Sequence, residues 1–228
     1  MIFPVGDDQI KGGYKPIFSY SILVINVVVF LYEVVLQNSG QLSGFVNDYG
    51  AIPVEITHGV DIYTLFTNMF LHGDWMHLMG NMLFLWIFAD NIEASIGNFR
   101  FLMFYLGGGI LASLAHVALN PGSSIPSIGA SGAISAVMGC YLVMFPRSRV
   151  KVLVIYFFRA FYVSAIIFLG FWIIFQIFSG VTSLGQNPNS GGVAYWAHIG
   201  GFVFGLLYGF FAKRFFQLKG VLNYPGND

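Results

Sequence analysis

The sequence predicts an all-α polytopic membrane protein, a bundle of six transmembrane helices. Three observations carry that prediction. Of the 228 residues, 57% are hydrophobic and only 9% are charged, where soluble domains carry about 25% charged residues. Six stretches are apolar and close to the length that crosses a bilayer. With six spans, all ten Lys and Arg residues fall on one side of the membrane. A soluble fold of this length has too little interior for so much apolar surface, so most of its solvent is lipid.

Taken in order, the spans are residues 17–36, 76–96, 101–119, 130–145, 161–179 and 194–211. The first follows an N-terminal segment with acidic and glycine residues. No small-residue cleavage site follows it, so it reads as an anchor and not a removable signal. A long mixed loop, 38–67, leads to the second span. The fourth span is short and stops at Pro146. A further run, 150–158, is too short to cross and is flanked by Lys151 and Arg159, which places it at the interface. Segments 120–128 and 180–193 are rich in Gly, Ser, Pro and Asn, the composition of connectors. No internal repeat is evident, so an inverted-repeat transporter gains no support.

The basic residues are Lys11, Lys15, Arg100, Arg147, Arg149, Lys151, Arg159, Lys213, Arg214 and Lys219. The opposite loops hold Asp48, Glu55, Asp61 and Asp74 and no Lys or Arg. The positive-inside rule then puts both termini in the cytoplasm, and the expected location is a bacterial plasma membrane. The net charge is zero, so nothing points to nucleic acid. The single cysteine, Cys140, excludes an internal disulfide and a cysteine metal cage.

Polar groups inside a membrane are costly and mark function by default. Three sets stand at the starts of even-numbered spans: His72, His77 and Asn81; Ser131; and His198. Ser131 precedes Arg147 by sixteen residues and His198 precedes Lys213 by fifteen. Both therefore rise ~22–24 Å from the inner boundary, below the outer surface of a hydrocarbon core ~30 Å thick. His198, Gly201, Gly205 and Gly209 share one helical face, and Ser131, Ser135 and Gly139 share another. Small residues at every fourth position let membrane helices approach closely. If those two stripes face each other, Ser131 meets His198. Taken singly, each feature has a plainer reading: an intramembrane serine bonds its own helix backbone, and a glycine stripe is packing.

These residues resemble the rhomboid family. Gly129-Ala130-Ser131-Gly132 matches its GxSG motif. Ala197-His198-Ile199-Gly200-Gly201, continuing to Gly205, matches AHxxGxxxG. His72, His77 and Asn81, followed by Glu93 and Gly97, match its second-helix pattern. The resemblance covers about residues 15–215. It implies a short cytoplasmic segment at 1–15, a six-helix rhomboid-like core at 16–215 and a cytoplasmic tail at 216–228. It also implies an intramembrane serine protease acting on transmembrane helices of other proteins, with no cofactor and no metal. By the same resemblance Ser131 is the nucleophile and His198 the general base. His77 and Asn81 donate to the oxyanion, and His72 holds the first loop. Gly129, Gly132, Gly201 and Gly205 are structural neighbours of the site. The resemblance further assigns a gate to the fifth span through Phe161, Phe168, Phe171, Trp172 and Phe175.

Physical chemistry supports the roles separately. A serine hydroxyl is a weak nucleophile until a base takes its proton. A serine at a helix start has free backbone N–H groups beside it. Asn81 and His77, four residues apart, share a helical face. No carboxylate is placed to complete a triad, since Glu33 lies on span one and Glu93 towards the inner side. The chain departs from the family pattern twice. Tyr63-Thr64 stands where many members have Trp-Arg, and Ser135 stands where some have a tyrosine that stacks on the histidine. A water or an aromatic of another span is left to orient His198.

Three other readings compete. A zinc site would draw on His58, His72, His77, His116 and His198, but HExxH is absent. The five-residue step from His72 to His77 would also split them across helix faces. His116 reads as a bonded interior histidine or as exposed near the outer end, and Glu93, Asp90 and Asn91 as structural polarity. A transporter would need polar residues along the full depth of the bundle, whereas here they gather in the outer third. A catalytically inactive relative that binds helices would lack Ser131 or His198. Expected substrates are transmembrane proteins with Gly, Pro or polar helix breakers near the cut. The lipid bilayer is the other partner.

Overall fold

The computed structural model describes residues 2–154, 156, 159–185, 187 and 191–222. The protein is mostly helical. Its six long elements are α1 (Phe18–Asn38), α5 (Trp75–Ile96), α6 (Asn98–Leu119), α7 (Ser131–Met144), α8 (Ala165–Ser183) and α9 (Tyr195–Phe215). Each falls within a few residues of an expected span. Four of them, α1, α6, α8 and α9, are long and apolar enough to cross a membrane. Helix α5 carries Asp90 and Glu93, and α7 has only 14 residues.

Helix α7 is the centre of the bundle. Every residue from Gly132 to Tyr141 is buried, with α5, α6, α8 and α9 packed around it. Small residues make that possible. A β-carbon on Gly201 would overlap the carbonyl of Gly132, and one on Gly205 would overlap that of Ala136. One on Gly209 would stand 2.9 Å from Val143. The backbones of α7 and α9 are therefore in direct contact.

The expected pairing of faces is corrected in part. Gly201, Gly205 and Gly209 do form the contact on α9. On α7 the matching positions are Gly132, Ala136, Cys140 and Val143, one residue on from the Ser131–Ser135–Gly139 stripe. Gly139 still touches α9, facing the carbonyl of Phe202. Helix approach is closest where the partner backbone is bare, and Gly132 is barer than Ser131. The one-residue offset turns Ser131 to the rim of the contact.

The expectation of an all-α fold is also corrected. Strands β1 (Ile2–Asp7), β3 (Arg149–Val154) and β4 (Arg159–Ser164) form an antiparallel sheet in the order β1-β3-β4. Strand β2 (Ile10–Lys11) pairs with β5 (Val221–Leu222). The middle strand alternates, with Val150 and Val152 buried and Lys151 exposed, a period of two over β-branched residues. The run at 150–158 is thus mostly a strand, although 155, 157 and 158 lie outside the described residues. Phe161 belongs to β4, so α8 begins at Ala165 and not at 161.

The sheet closes the end of the bundle opposite Ser131. Arg149 donates to Asp8 through Nε and Nη2, one edge of its guanidinium, each bond at 3.1 Å. Asn91 of α5 donates to Asp7 and to the carbonyl of Asp8, and accepts from the Ile10 N–H. Glu93 accepts from the backbone N–H groups of Ile17, Phe18 and Ser19 at 2.7–2.9 Å. It therefore caps α1, whose first turn has no side-chain cap of its own.

The loop at 38–67 holds short helices α2 (Leu42–Tyr49), α3 (Pro53–Thr57) and α4 (Thr64–Thr67), followed by a 3-10 turn at Asn68–Phe70. It is fastened to the chain that enters α7. Ala51 and Ser127 exchange backbone hydrogen bonds, Val54 donates to Ser123, and Gly129 donates to the Asn68 carbonyl at 2.9 Å. Tyr63, where the family often has tryptophan, is exposed and donates to the Asp48 carbonyl within this loop. Phe45 and Tyr49 pack together.

Candidate active site

Ser131 is the first residue of α7. Gly129 delivers it, with a φ of +126° that L side chains rarely adopt. Its flat surface also lets α5 come near: a β-carbon there would stand 2.7 Å from His77 Nε2 and 3.6 Å from Asn81 Nδ2. His198 lies in the first turn of α9. Its Nε2 is 2.8 Å from Ser131 Oγ. Ser131 and His198 are thus in hydrogen-bond contact, one on each of two helices whose backbones touch.

His77 and Asn81 face the same space. Asp74 caps α5 by accepting from the His77 N–H at 2.8 Å. His77 Nδ1 accepts from the Gly73 N–H at 3.4 Å, so its Nε2 carries the proton and points to the site. Asn81 is 7% exposed, and its Nδ2 has no hydrogen-bond partner among the described residues. A buried donor left without a partner is rare and costs stability. Both donors converge on the start of α7, where N–H groups of the first turn are also free.

These groups line a cavity of about 870 Å³ that opens to one side and takes in Asn81, Ser131, Trp172 and His198. His116 of α6 is on its wall too, with Nδ1 3.4 Å from Asn120 Nδ2.

Other expected residues have different settings. His72 is buried in the loop ahead of α5, and its backbone N–H donates to Glu33 at 3.1 Å. The main chain of His72, held by a carboxylate of α1, does the fastening. Its ring nitrogens have no partner among the described residues. The five-residue step to His77 does not separate the rings, because His72 precedes the helix; their centroids are 5.1 Å apart. Of the residues assigned to a gate, Phe168 stacks on Phe84 and Phe88 of α5. Phe171 and Phe175 point outward. Trp172 lies 5.7 Å from the His198 ring.

Sequence reasoning missed Gln176. Its Oε1 is 2.8 Å from His198 Nδ1, the ring nitrogen turned away from Ser131. The available signal was an amide alone inside an apolar span. Ser135, where some relatives have tyrosine, instead bonds the Ser131 carbonyl at 2.6 Å.

A hydroxyl bonded to an imidazole, beside a buried amide donor without a partner among the described residues, is an arrangement suited to acyl transfer. A family model, "Rhomboid domain", matches residues 60–215. Rhomboid protein 1, mitochondrial, of Saccharomyces cerevisiae is 28% identical over 200 residues, 86% of this chain and 53% of the relative. Rhomboid protease GluP of Bacillus subtilis is 32% identical over 128 residues, 56% of this chain and 24% of the relative. Presenilin-associated rhomboid-like protein, mitochondrial, of Homo sapiens is 28% identical over 149 residues, 62% of this chain and 35% of the relative. The chain thus spans about half or less of the length of these relatives. Their names include bacterial and mitochondrial proteins and do not single out the bacterial plasma membrane expected above. This integral membrane chain belongs to the rhomboid family.

Proposed function

We propose that the protein is an intramembrane serine endopeptidase that cleaves transmembrane helices of other membrane proteins near the outer leaflet. The observation that carries the reading is the 2.8 Å contact between Ser131 Oγ and His198 Nε2, made at the wall of an open cavity. Ser131 Oγ attacks the scissile carbonyl carbon while His198 Nε2 takes its proton. The carbonyl oxygen becomes an oxyanion that receives hydrogen bonds from Asn81 Nδ2, His77 Nε2–H and the first N–H groups of α7. The imidazolium then protonates the leaving amine. A water from the cavity, deprotonated by the same nitrogen, releases the acyl group and restores the hydroxyl.

In this reading all six long helices span the membrane, α5 and α7 as well as the four more apolar ones. The basic end lies in the cytoplasm with both termini. Helix α7 is short because it is wrapped by its neighbours and starts below the outer surface. Substrates carry Gly, Pro or polar residues near the cut, because a peptide bond in an intact helix is shielded by its own hydrogen bonds.

The test is cleavage of a tagged single-span substrate in reconstituted membranes. Wild type should cleave, Ser131→Ala and His198→Ala should not, and a chelator should change nothing. Cleavage by Ser131→Ala at the wild-type rate would sink the mechanism. A folded wild type that leaves several helix-breaking substrates intact would favour a helix-binding relative.

A further inference from the structure

We propose that Gln176 is the positioning residue of the site, an uncharged third member that sets the tautomer and aim of His198. The inference rests on the protease reading above and extends it to α8. Most of α8 faces outward, with Ile166, Ile167, Phe171, Ile174 and Phe178 exposed. Only Ala165, Leu169, Gln176 and Gly180 are buried. The helix therefore spends one of its four inward positions on an amide, the group most costly to bury there. The cost is offset at one place: Oε1 sits 2.8 Å from His198 Nδ1. Trp172, one turn earlier on the same face, walls the ring at 5.7 Å.

The chemistry follows from the two ring nitrogens. For Nε2 to accept the Ser131 proton, the neutral ring must carry its hydrogen on Nδ1. An amide oxygen at Nδ1 favours that tautomer, and its hydrogen bond strengthens as the ring becomes cationic. A carboxylate would hold the imidazolium more strongly, but it would be a buried charge unpaired in the resting enzyme. The amide is neutral at every stage. Because Ser131, His198 and Gln176 sit on α7, α9 and α8 respectively, the base is correctly set only while α8 is packed in place.

The test compares Gln176→Leu, which keeps the size and removes the acceptor, with Gln176→Glu, which keeps both. Kinetics are measured against pH in proteoliposomes. In parallel, the His198 tautomer is read from ¹⁵N resonances of histidine-labelled protein, assigned by their loss in His198→Ala. Gln176→Leu should lower kcat about 10- to 100-fold, with KM within about twofold and the thermal midpoint little changed. Its His198 should lose the pure Nδ1–H tautomer of wild type. Gln176→Glu should recover most of kcat and move the acidic limb of the pH profile upward. A kcat in Gln176→Leu within twofold of wild type, or an unchanged tautomer, overturns the proposal. So does a Gln176→Glu that folds as well but is as slow as Gln176→Leu, which would mark a packing role. The tautomer measurement is independent of cleavage. If Ser131→Ala cleaves normally the protease reading fails, and the resonances still decide the role of Gln176.

Discussion

Gly205 of α9 lies so close to the carbonyl of Ala136 of α7 that a β-carbon on it would overlap the oxygen. One turn nearer the site, Gly201 meets Gly132 in the same way. The distance from His198 to Ser131 is therefore set by backbone against backbone, with no side chain between to adjust. Gly205→Leu must push the helices apart. Overpacking of this kind costs about 1–3 kcal/mol, and the dyad bond at 2.8 Å has no slack. Cleavage should fall at least tenfold, by ~1.4 kcal/mol or more, together with a lower thermal midpoint. A Gly205→Leu enzyme with normal kcat would disprove the backbone-contact account.

Gly129→Ala tests the approach of α5 to α7. The new methyl would stand 2.7 Å from His77 Nε2, at a φ of +126°. Both the strain and the clash act on the donor side of the site, leaving Ser131 and His198 chemically intact. Activity should drop at least ~10-fold, less than the ~10²–10³ of a donor removed outright, while the ¹⁵N signature of His198 stays as in wild type. Loss of that signature instead would place the damage at the dyad.

Asn81→Ala should separate activity from stability. Its Nδ2 is buried without a partner among the described residues, so truncation removes an unsatisfied donor. If that donor serves the oxyanion, kcat falls about 10²–10³-fold while the thermal midpoint holds or rises. A fall in both would assign Asn81 a structural role.

Glu93→Ala should do the reverse. The carboxylate caps three N–H groups of α1, far along α5 from the site. Denaturation in detergent should show a loss of at least about 2 kcal/mol, since bonds to charged groups are worth ~1.5–3 kcal/mol each. Turnover per folded molecule should be unchanged. Wild-type stability in this variant would mean that the cap contributes nothing.

Asp7 gives the pH dependence of the sheet's docking. Its carboxylate accepts from Tyr141 and Asn91. Burial pushes its pKa from 3.8 up to about 7; the hydrogen bond from Tyr141 opposes this and the nearby charge of Asp90 adds to it. The native state thus keeps a proton that the unfolded chain has already lost. The resulting stabilisation is complete below about 3.8, declines as pH rises and is gone above about 7. The thermal midpoint of wild type should fall across that window more steeply than that of Asp7→Asn. Parallel curves for the two would remove Asp7 as the cause.

Much was legible in the chain alone. Apolar length and basic-residue spacing placed all six long helices to within a few residues, because lipid forces backbone groups to bond within a helix. Ser131, His198, His77 and Asn81 were legible because polar residues are rare in spans and each stood at a helix start. The strand at 149–154 was partly hidden, since alternation over six residues competes with a generally apolar background. Its partner β1 lies more than 140 positions away in sequence.

What only the tertiary structure decided is which faces meet. Periodicity marks a stripe on each helix but not the rotation between them, so Gly132–Ala136 and not Ser131–Ser135 receives α9. In the sequence, the amide of Gln176 is one polar residue in an apolar run. Its meaning depends on α8 lying beside α9, twenty-two residues away in sequence. Composition and spacing fix what can be buried. Close packing alone fixes which atoms then stand 2.8 Å apart.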